Sequence, residues 1–397
     1  MALVPDPSVI AEAEQLVLDL KNHTGLPVDQ AKTLRQVDKL RCHLEKGPDA
    51  LMYHSFPFLI LPTLNMMMDF GVFDAVPLEG SISTGDLAAA VKLDATILSR
   101  FLYIVLTQGI FKERALGVYE HTPLSRTFRN DQAASYYRLG TMQFPHWWKV
   151  SDYLKTHSSE EAQDVTKSPY CWAQGKEGMT YYEAIEEDPA VSDTWHKAMI
   201  MVETTQPITG MFPFNSMKAA VKAEPQRAFV VDIGGGRGNA LVSIMKECGG
   251  NYGGKMILQD MPEVLEGKDP VKIDRVENMP HSFYDEQPVK NAHIYYVRNV
   301  LHNHYDERSR RILRRIVDAM GPTSRLLIGE MILPTTAGPG SDPFPFVMDL
   351  CMFMEGGVER NKEQWDKLLR DVGLKIEKIW RLPDNPIQGI IEAKLKD

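Results

Sequence analysis

The chain has 397 residues, of which 44% are hydrophobic, 24% charged and 9% aromatic; this balance excludes long disordered tracts and, at this length, points to two domains. A formal net charge of -9 argues against sequence-independent nucleic-acid binding, which draws on Lys and Arg to neutralise phosphates. The four cysteines, Cys42, Cys171, Cys248 and Cys351, lie too far apart to form a Cys-x-x-Cys pair and read as buried free thiols.

The N-terminal run MALVPDPSVIAEAEQ has neither the basic start nor the apolar core of a secretory signal. The most apolar stretch, 56–68, is broken by Pro57 and Pro62 and is too short to span a bilayer. A reducing, cytoplasmic setting without membrane association is the expectation. Residues 7–45 alternate apolar and charged positions at helical spacing behind Pro5 and Pro7, which predicts an exposed helical arm. The Met-rich block LPTLNMMMDFGVFDAV reads as a buried helix and its turn, with a substrate wall or dimer seam as the alternative, since Met adapts to irregular partners.

A small winged helix-turn-helix unit is predicted next. Ser83-Thr84-Gly85-Asp86 can cap a helix through Ala90, a second helix runs from Asp94 to Gln108, and residues 109–119 can form a short hairpin. The second helix, DATILSRFLYIVLTQ, is mostly apolar with one Arg, so packing is expected of it rather than base readout in a groove. Residues 135–222 read as further helices, with aromatics gathered around Phe144, His146, Trp147, Trp148 and Tyr181.

Past Pro225 the pattern changes to strands alternating with helices. Strand-like runs stand at 228–233, 255–260, 293–301 and 325–332, which implies a parallel sheet covered on both faces. Two last runs, LKIEKIWRL and QGIIEAKL, flank a Pro-containing turn and suggest an antiparallel hairpin closing the sheet edge.

The first of these strands leads straight into Ile233-Gly234-Gly235-Gly236-Arg237-Gly238-Asn239. A glycine-rich turn between strand and helix lets a ligand lie against the backbone at the carboxyl edge of the sheet. The spacing departs from a dinucleotide fingerprint, whose third glycine would fall at Asn239. Asp232 stands where a carboxylate repels a pyrophosphate but suits a cationic amino-acid ligand, and Asp260, ending the next strand, is placed to accept from ribose hydroxyls.

These motifs make the chain similar to the plant and fungal class of S-adenosylmethionine-dependent O-methyltransferases. They stand as VVDIGGGRG (230–238), LQDMP (258–262), RNVLHNHYDE (298–307), IGEMILP (328–334) and GGVERNKEQW (356–365). The resemblance implies an α/β class I methyltransferase domain with a Rossmann-like sheet at 225–397, a helical arm and winged-helix dimerisation domain at 1–135, and a helical connector at 136–224. It implies a homodimer and a small aromatic or polyketide-type substrate. His302 matches the family's general base, and Glu330 and Glu359 match its flanking carboxylates. The chemistry explains that set, because a phenol or enol attacks a methyl group well only after losing its proton, and an imidazole oriented by carboxylates can take it.

Asp232, Gly234, Gly236, Gly238 and Asp260 match the cofactor loop, and two positions on the cofactor side depart from the family. His302-Asn303-His304 replaces a common His-Asp-Trp, and Ser282 stands where fungal relatives often carry an acid that contacts adenine. His281 and His304 read as surface histidines or as partial compensation. Arg298 is a structural ion-pair partner or a clamp on a substrate carbonyl. The second role belongs to a group on the same fold, fungal pericyclases and dehydratases that hold S-adenosylmethionine without transferring its methyl, with His146 and Arg298 as carbonyl donors. The substrate pocket is expected to draw on Phe144, His146, Trp147 and Met179, and on Met348, Met352 and Phe353 before Gly356-Gly357. No metal site is apparent from the spacing of the eleven histidines, and a chelator is expected to leave activity unchanged.

Overall fold

A computed structural model describes residues 6–45, 47–267, 270–383 and 385–396; Pro5 lies outside them. The chain falls into two compact units, one holding residues 45–157 and 170–206, the other the chain up to Leu44 with 158–169 and 207 onward. The helical arm thus groups with the C-terminal sheet, and residues 136–224 divide between the two units.

The helical unit contains the winged element. Strands β1 (Ile82–Ser83), β2 (Phe111–Ala115) and β3 (Val118–His121) form an antiparallel sheet in the order β1-β3-β2. Ser83 caps the helix Thr84–Val91 by accepting from the Asp86 N–H, and Asp94 caps Ala95–Thr107 through Thr96 and Ile97. The latter helix turns Leu98, Leu102 and Val105 into the core, so the apolar face serves packing. Phe73 stacks on Phe111 and Phe128 at ring separations of 5.3 and 4.7 Å. From the Met-rich block, Leu64 and Met67 are buried beside them.

The second unit is built on a sheet of β4 (Ala228–Ile233), β5 (Lys255–Asp260), β6 (Val276–Pro280), β7 (Ile294–Arg298), β8 (Arg325–Leu333), β9 (Arg360–Asn361), β10 (Leu374–Leu382) and β11 (Asn385–Leu395). The order is β10-β11-β8-β7-β4-β5-β6, with β9 added parallel to the end of β8. β4 to β8 run parallel, whereas β11 pairs antiparallel with both β8 and β10. The final hairpin therefore closes the sheet edge as expected. The helices Asp306–Val317 and Lys362–Asp371 cover one face of the sheet and Asn239–Cys248 the other.

Three elements differ from the sequence expectation. β6 was not anticipated, because VENMP mixes polar residues with a proline and has the half-exposed pattern of an edge strand. The arm is two helices, Pro7–Lys21 and Pro27–Leu44, broken where Gly25 takes a left-handed conformation. The run 293–301 is extended only to Arg298; Asn299 has φ 52°, and Leu301–Asn303 form a 3-10 turn. That early ending carries His302 off the sheet at its carboxyl edge.

Strand order reverses beside β4, whose neighbours are β5 on one side and β7 on the other. Ligands of open α/β sheets bind at such a switch point, beyond the carboxyl ends of the strands. Both candidate sites lie at that edge.

Candidate active site

The glycine loop is held by the sheet from which it emerges. The N–H groups of Gly234 and Gly235 donate to the Gln259 carbonyl at 2.8 and 3.1 Å, and that of Gly236 donates to Asp260 Oδ2 at 2.7 Å. Asp260 Oδ1 accepts from the Met261 N–H at 2.8 Å. Gly238 has φ 76° and caps the helix Asn239–Cys248 with backbone alone. Two positions are tight: at Gly238 a Cβ would lie 2.4 Å from Ile273 Cδ1, and Gly235, which the spacing did not single out, is nearly as enclosed. A Cβ there would lie 2.5 Å from both Asp232 Oδ2 and Leu258 Cδ1. Only a glycine lets the chain pass directly over that carboxylate.

Asp232 is 1% exposed, and its Oδ2 finds no hydrogen-bond partner among the described residues. Burial is the main cause that pushes its carboxyl up to about 7, with Asp260 adding to the shift and the Arg298 guanidinium opposing it. An orphaned buried oxygen costs about 1–3 kcal/mol. Such a cost is tolerated where a ligand supplies the missing donor. Arg298 ends β7 and stands in the field of Asp232, in keeping with an ion-pair role.

Ser282 lies in the turn after β6, where its Oγ accepts from the Tyr284 N–H at 3.3 Å. His281 and His304 are both half-buried. His281 Nε2 and His304 Nδ1 are buried without partners among the described residues. Burial first, then Arg308, His302 and Arg360, pulls the His304 imidazole down to about 4, so it is neutral; its ring lies 5.7 Å from Phe283.

The acid-base cluster assembles from three strand ends. His302 follows β7, Glu330 lies within β8, and Glu359 immediately precedes β9. His302 Nδ1 is 2.9 Å from Glu359 Oε1 and 3.8 Å from Glu330 Oε2. A carboxylate can only accept from the ring, so Nδ1 carries a proton, and in the neutral imidazole Nε2 is left with the lone pair. Glu330 is fully buried, and its Oε1 accepts from the Val300 and Leu301 N–H groups at 3.1 and 2.9 Å. The Glu359 N–H donates to Asp349 Oδ1 at 2.9 Å. Gly357 permits the close approach, since a Cβ there would lie 2.3 Å from the His302 carbonyl oxygen. The Val358 N–H donates to that same oxygen at 2.7 Å.

Burial lowers the basicity of His302, but Glu330, Glu359 and Glu355 outweigh it and hold the imidazole up at about 9. Burial likewise keeps the Glu330 carboxyl above the ordinary range, against the pull of His302. Arg360 is buried nearby but is committed to Asp306, the Leu301 and His304 carbonyls and Ser309. No metal set is legible in the spacing along the chain, yet one ligand atom each from His302, Glu330 and Glu359 lies within 4.8 Å of the others. The fold brings together what the chain separates.

On the helix Phe344–Glu355, Met352 is buried and Met348 and Phe353 are half-buried. His146 and Trp147 belong to the other unit, at the end of the helix Asp131–Trp147. There His146 packs edge-on to Tyr170 at 5.1 Å, and its Nδ1 has no partner among the described residues.

Comparison with known proteins agrees with this geometry. A family profile described as the O-methyltransferase domain matches residues 152–375, and one described as the O-methyltransferase dimerisation domain matches residues 52–131. O-methyltransferase hmp5 of Hypomyces subiculosus is 33% identical over 367 residues, covering 91% of each chain. The solved structure of OxaC in complex with SAH and oxaline is 25% identical, with a TM-score of 0.82 over 98% of this chain and 99% of its own. LepI in complex with SAM is 22% identical with a TM-score of 0.84 over 98% and 99%, a likeness of fold. The chain belongs to the O-methyltransferase family.

Proposed function

We propose that this chain is an S-adenosylmethionine-dependent O-methyltransferase acting on a phenolic or enolic secondary metabolite, with His302 as general base and Glu330 and Glu359 as its supports. The observation that carries the reading is the 2.9 Å contact of His302 Nδ1 with Glu359 Oε1, backed by Glu330. It leaves Nε2 as the proton acceptor.

The loop after β4 suits the cofactor. The unpartnered Asp232 Oδ2 would take its cationic amino-acid end, Asp260 its ribose, and Gly234, Gly236 and Gly238 its close approach. The cofactor, when bound, supplies a methyl group on a sulfonium, which an oxygen nucleophile takes in line. His302 Nε2 accepts the hydroxyl proton, Glu359 accepts a hydrogen bond from Nδ1–H, which stays on the ring, and Glu330 adds negative charge that stabilises the imidazolium. Met348 and Phe353 line the acceptor side, Ser282 borders the adenine, and Arg298 favours ionised Asp232. OxaC, crystallised with SAH and oxaline, supports a natural-product acceptor.

The dimerisation-domain match at 52–131 supports a homodimer. The buried free thiols of Cys171 and Cys248 support a cytoplasmic setting. Among the described residues no helix is long and apolar enough to cross a membrane.

The test is mass spectrometry of wild type and His302→Ala with S-adenosylmethionine and an extract of polyketide-type metabolites. S-adenosylhomocysteine and a product heavier by one methylene should both appear and both vanish in the variant. Substrate isomerised or dehydrated with the cofactor intact would overturn the reading.

A further inference from the structure

We propose that His302, Glu330 and Glu359 form a binding site for a borderline divalent transition metal of the Zn²⁺ class, whose occupancy blocks the base. That second clause rests on the function proposed above; the site itself does not.

Three observations converge. The first is spacing. Tetrahedral Zn²⁺ with bonds of about 2.0–2.1 Å needs its ligand atoms about 3.4 Å apart. His302 Nδ1 stands 2.9 Å from Glu359 Oε1 and 3.8 Å from Glu330 Oε2, so the two separations bracket that requirement. One ligand atom from each of the three residues lies within 4.8 Å of the others.

The second is unmet bonding. Glu330 and Glu359 are 0% and 2% exposed, and Oε2 of each is buried without a hydrogen-bond partner among the described residues. In Glu330 the other oxygen is fixed by the Val300 and Leu301 N–H groups, which leaves Oε2 as the atom turned to His302. Two buried carboxylates face one imidazole; the Arg360 guanidinium acts on them only through its field, since its hydrogen bonds go to Asp306 and the Leu301 carbonyl. A dication would balance both charges at once.

The third is donor chemistry. An imidazole nitrogen with two carboxylate oxygens is a set for Zn²⁺, Co²⁺ or Ni²⁺, while Mg²⁺ prefers all-oxygen octahedra and keeps its waters. Three protein ligands also leave a fourth position open, as in metal sites that exchange with solvent.

The consequence for the base follows from the ring. A metal on Nδ1 takes the lone pair there, and the neutral imidazole then holds its single proton on Nε2. Nε2 can no longer accept a proton from the acceptor hydroxyl. The ion therefore inhibits, and a chelator restores or preserves activity.

The experiment uses full-length protein without an affinity tag, stripped of metal and titrated with Zn²⁺ by calorimetry. Co²⁺ absorption in the visible range reports coordination independently of turnover. Wild type should bind one Zn²⁺ per chain. Glu330→Gln, Glu359→Gln and His302→Ala should each weaken that binding at least tenfold, as removing a ligand does. S-adenosylmethionine affinity, measured on the same samples, shows that the variants are folded. No stoichiometric binding, or equal binding in wild type and all three variants, overturns the proposal by assigning the ion to surface histidines. Binding that follows the variants but leaves methyl transfer intact upholds the site and removes His302 from the role of base.

Discussion

The glycine loop and the His302 cluster solve different problems with buried carboxylates. The loop is one continuous run, Asp232 to Asn239, and works through its backbone, which passes so near Asp232 that a Cβ on Gly235 would lie 2.5 Å from Oδ2. The cluster is gathered from positions up to 57 residues apart and works through side-chain charge. The loop should therefore fail when atoms are added, and the cluster when charges are removed. Four variants test that division.

The largest effect is expected from His302→Ala. Losing a general base lowers turnover by about 10²–10⁴-fold, while cofactor affinity measured by calorimetry should stay within about twofold of wild type. An equal loss of both would merge the two regions into one unit. Glu359→Gln comes next. It leaves the ring in place but removes the charge 2.9 Å from Nδ1. Turnover should fall by about a hundredfold or less, again with cofactor binding preserved.

Gly235→Ala reverses the pattern. The added Cβ meets buried atoms of Asp232 and Leu258, and overpacking of this kind costs about 1–3 kcal/mol in stability. Denaturant unfolding should show that loss, and cofactor affinity should drop at least about tenfold. Unchanged affinity would mean that the ligand does not lie against this turn.

The smallest effect is one of pH. Burial raises the Asp232 carboxyl to about 7, with Asp260 raising it further and Arg298 lowering it. The protonated form is thus favoured in the folded, ligand-free chain. That contribution to stability is complete below the ordinary value of 3.8 and is lost as pH rises through about 7. A cationic ligand needs the ionised form, so cofactor affinity should rise with pH up to about 7 and then level off. Asp232→Asn should bind more weakly, with a flat profile. A flat profile in the wild type would sink the assignment.

Much of the fold is legible in the chain because its determinants are local. Ser83 and Asp94 cap the helices that follow them, and the alternation after Pro225 marks the parallel strands. The turn after β4 reads as a ligand loop from its spaced glycines together with Asp232 and Asp260 at the strand ends. Less was legible where neighbours decide. β6 carries an ambiguous VENMP pattern and becomes a strand by pairing with β5. His304 looks like a surface residue until the aromatic pair Phe283 and Tyr284 packs against its ring.

By itself the sequence determined the family, the glycine turn after β4 and the identity of the titratable residues, since periodicity, capping and spacing act over a few residues. Tertiary structure alone decided that Gly235 stands hard against Asp232, that Arg298 stands in the field of Asp232, and that two glutamates converge on Nδ1 of His302. The physical reason is distance. Close approach and electrostatic strength depend on separations of a few ångströms, and here the pairing of β8 with β7 and β9 sets them.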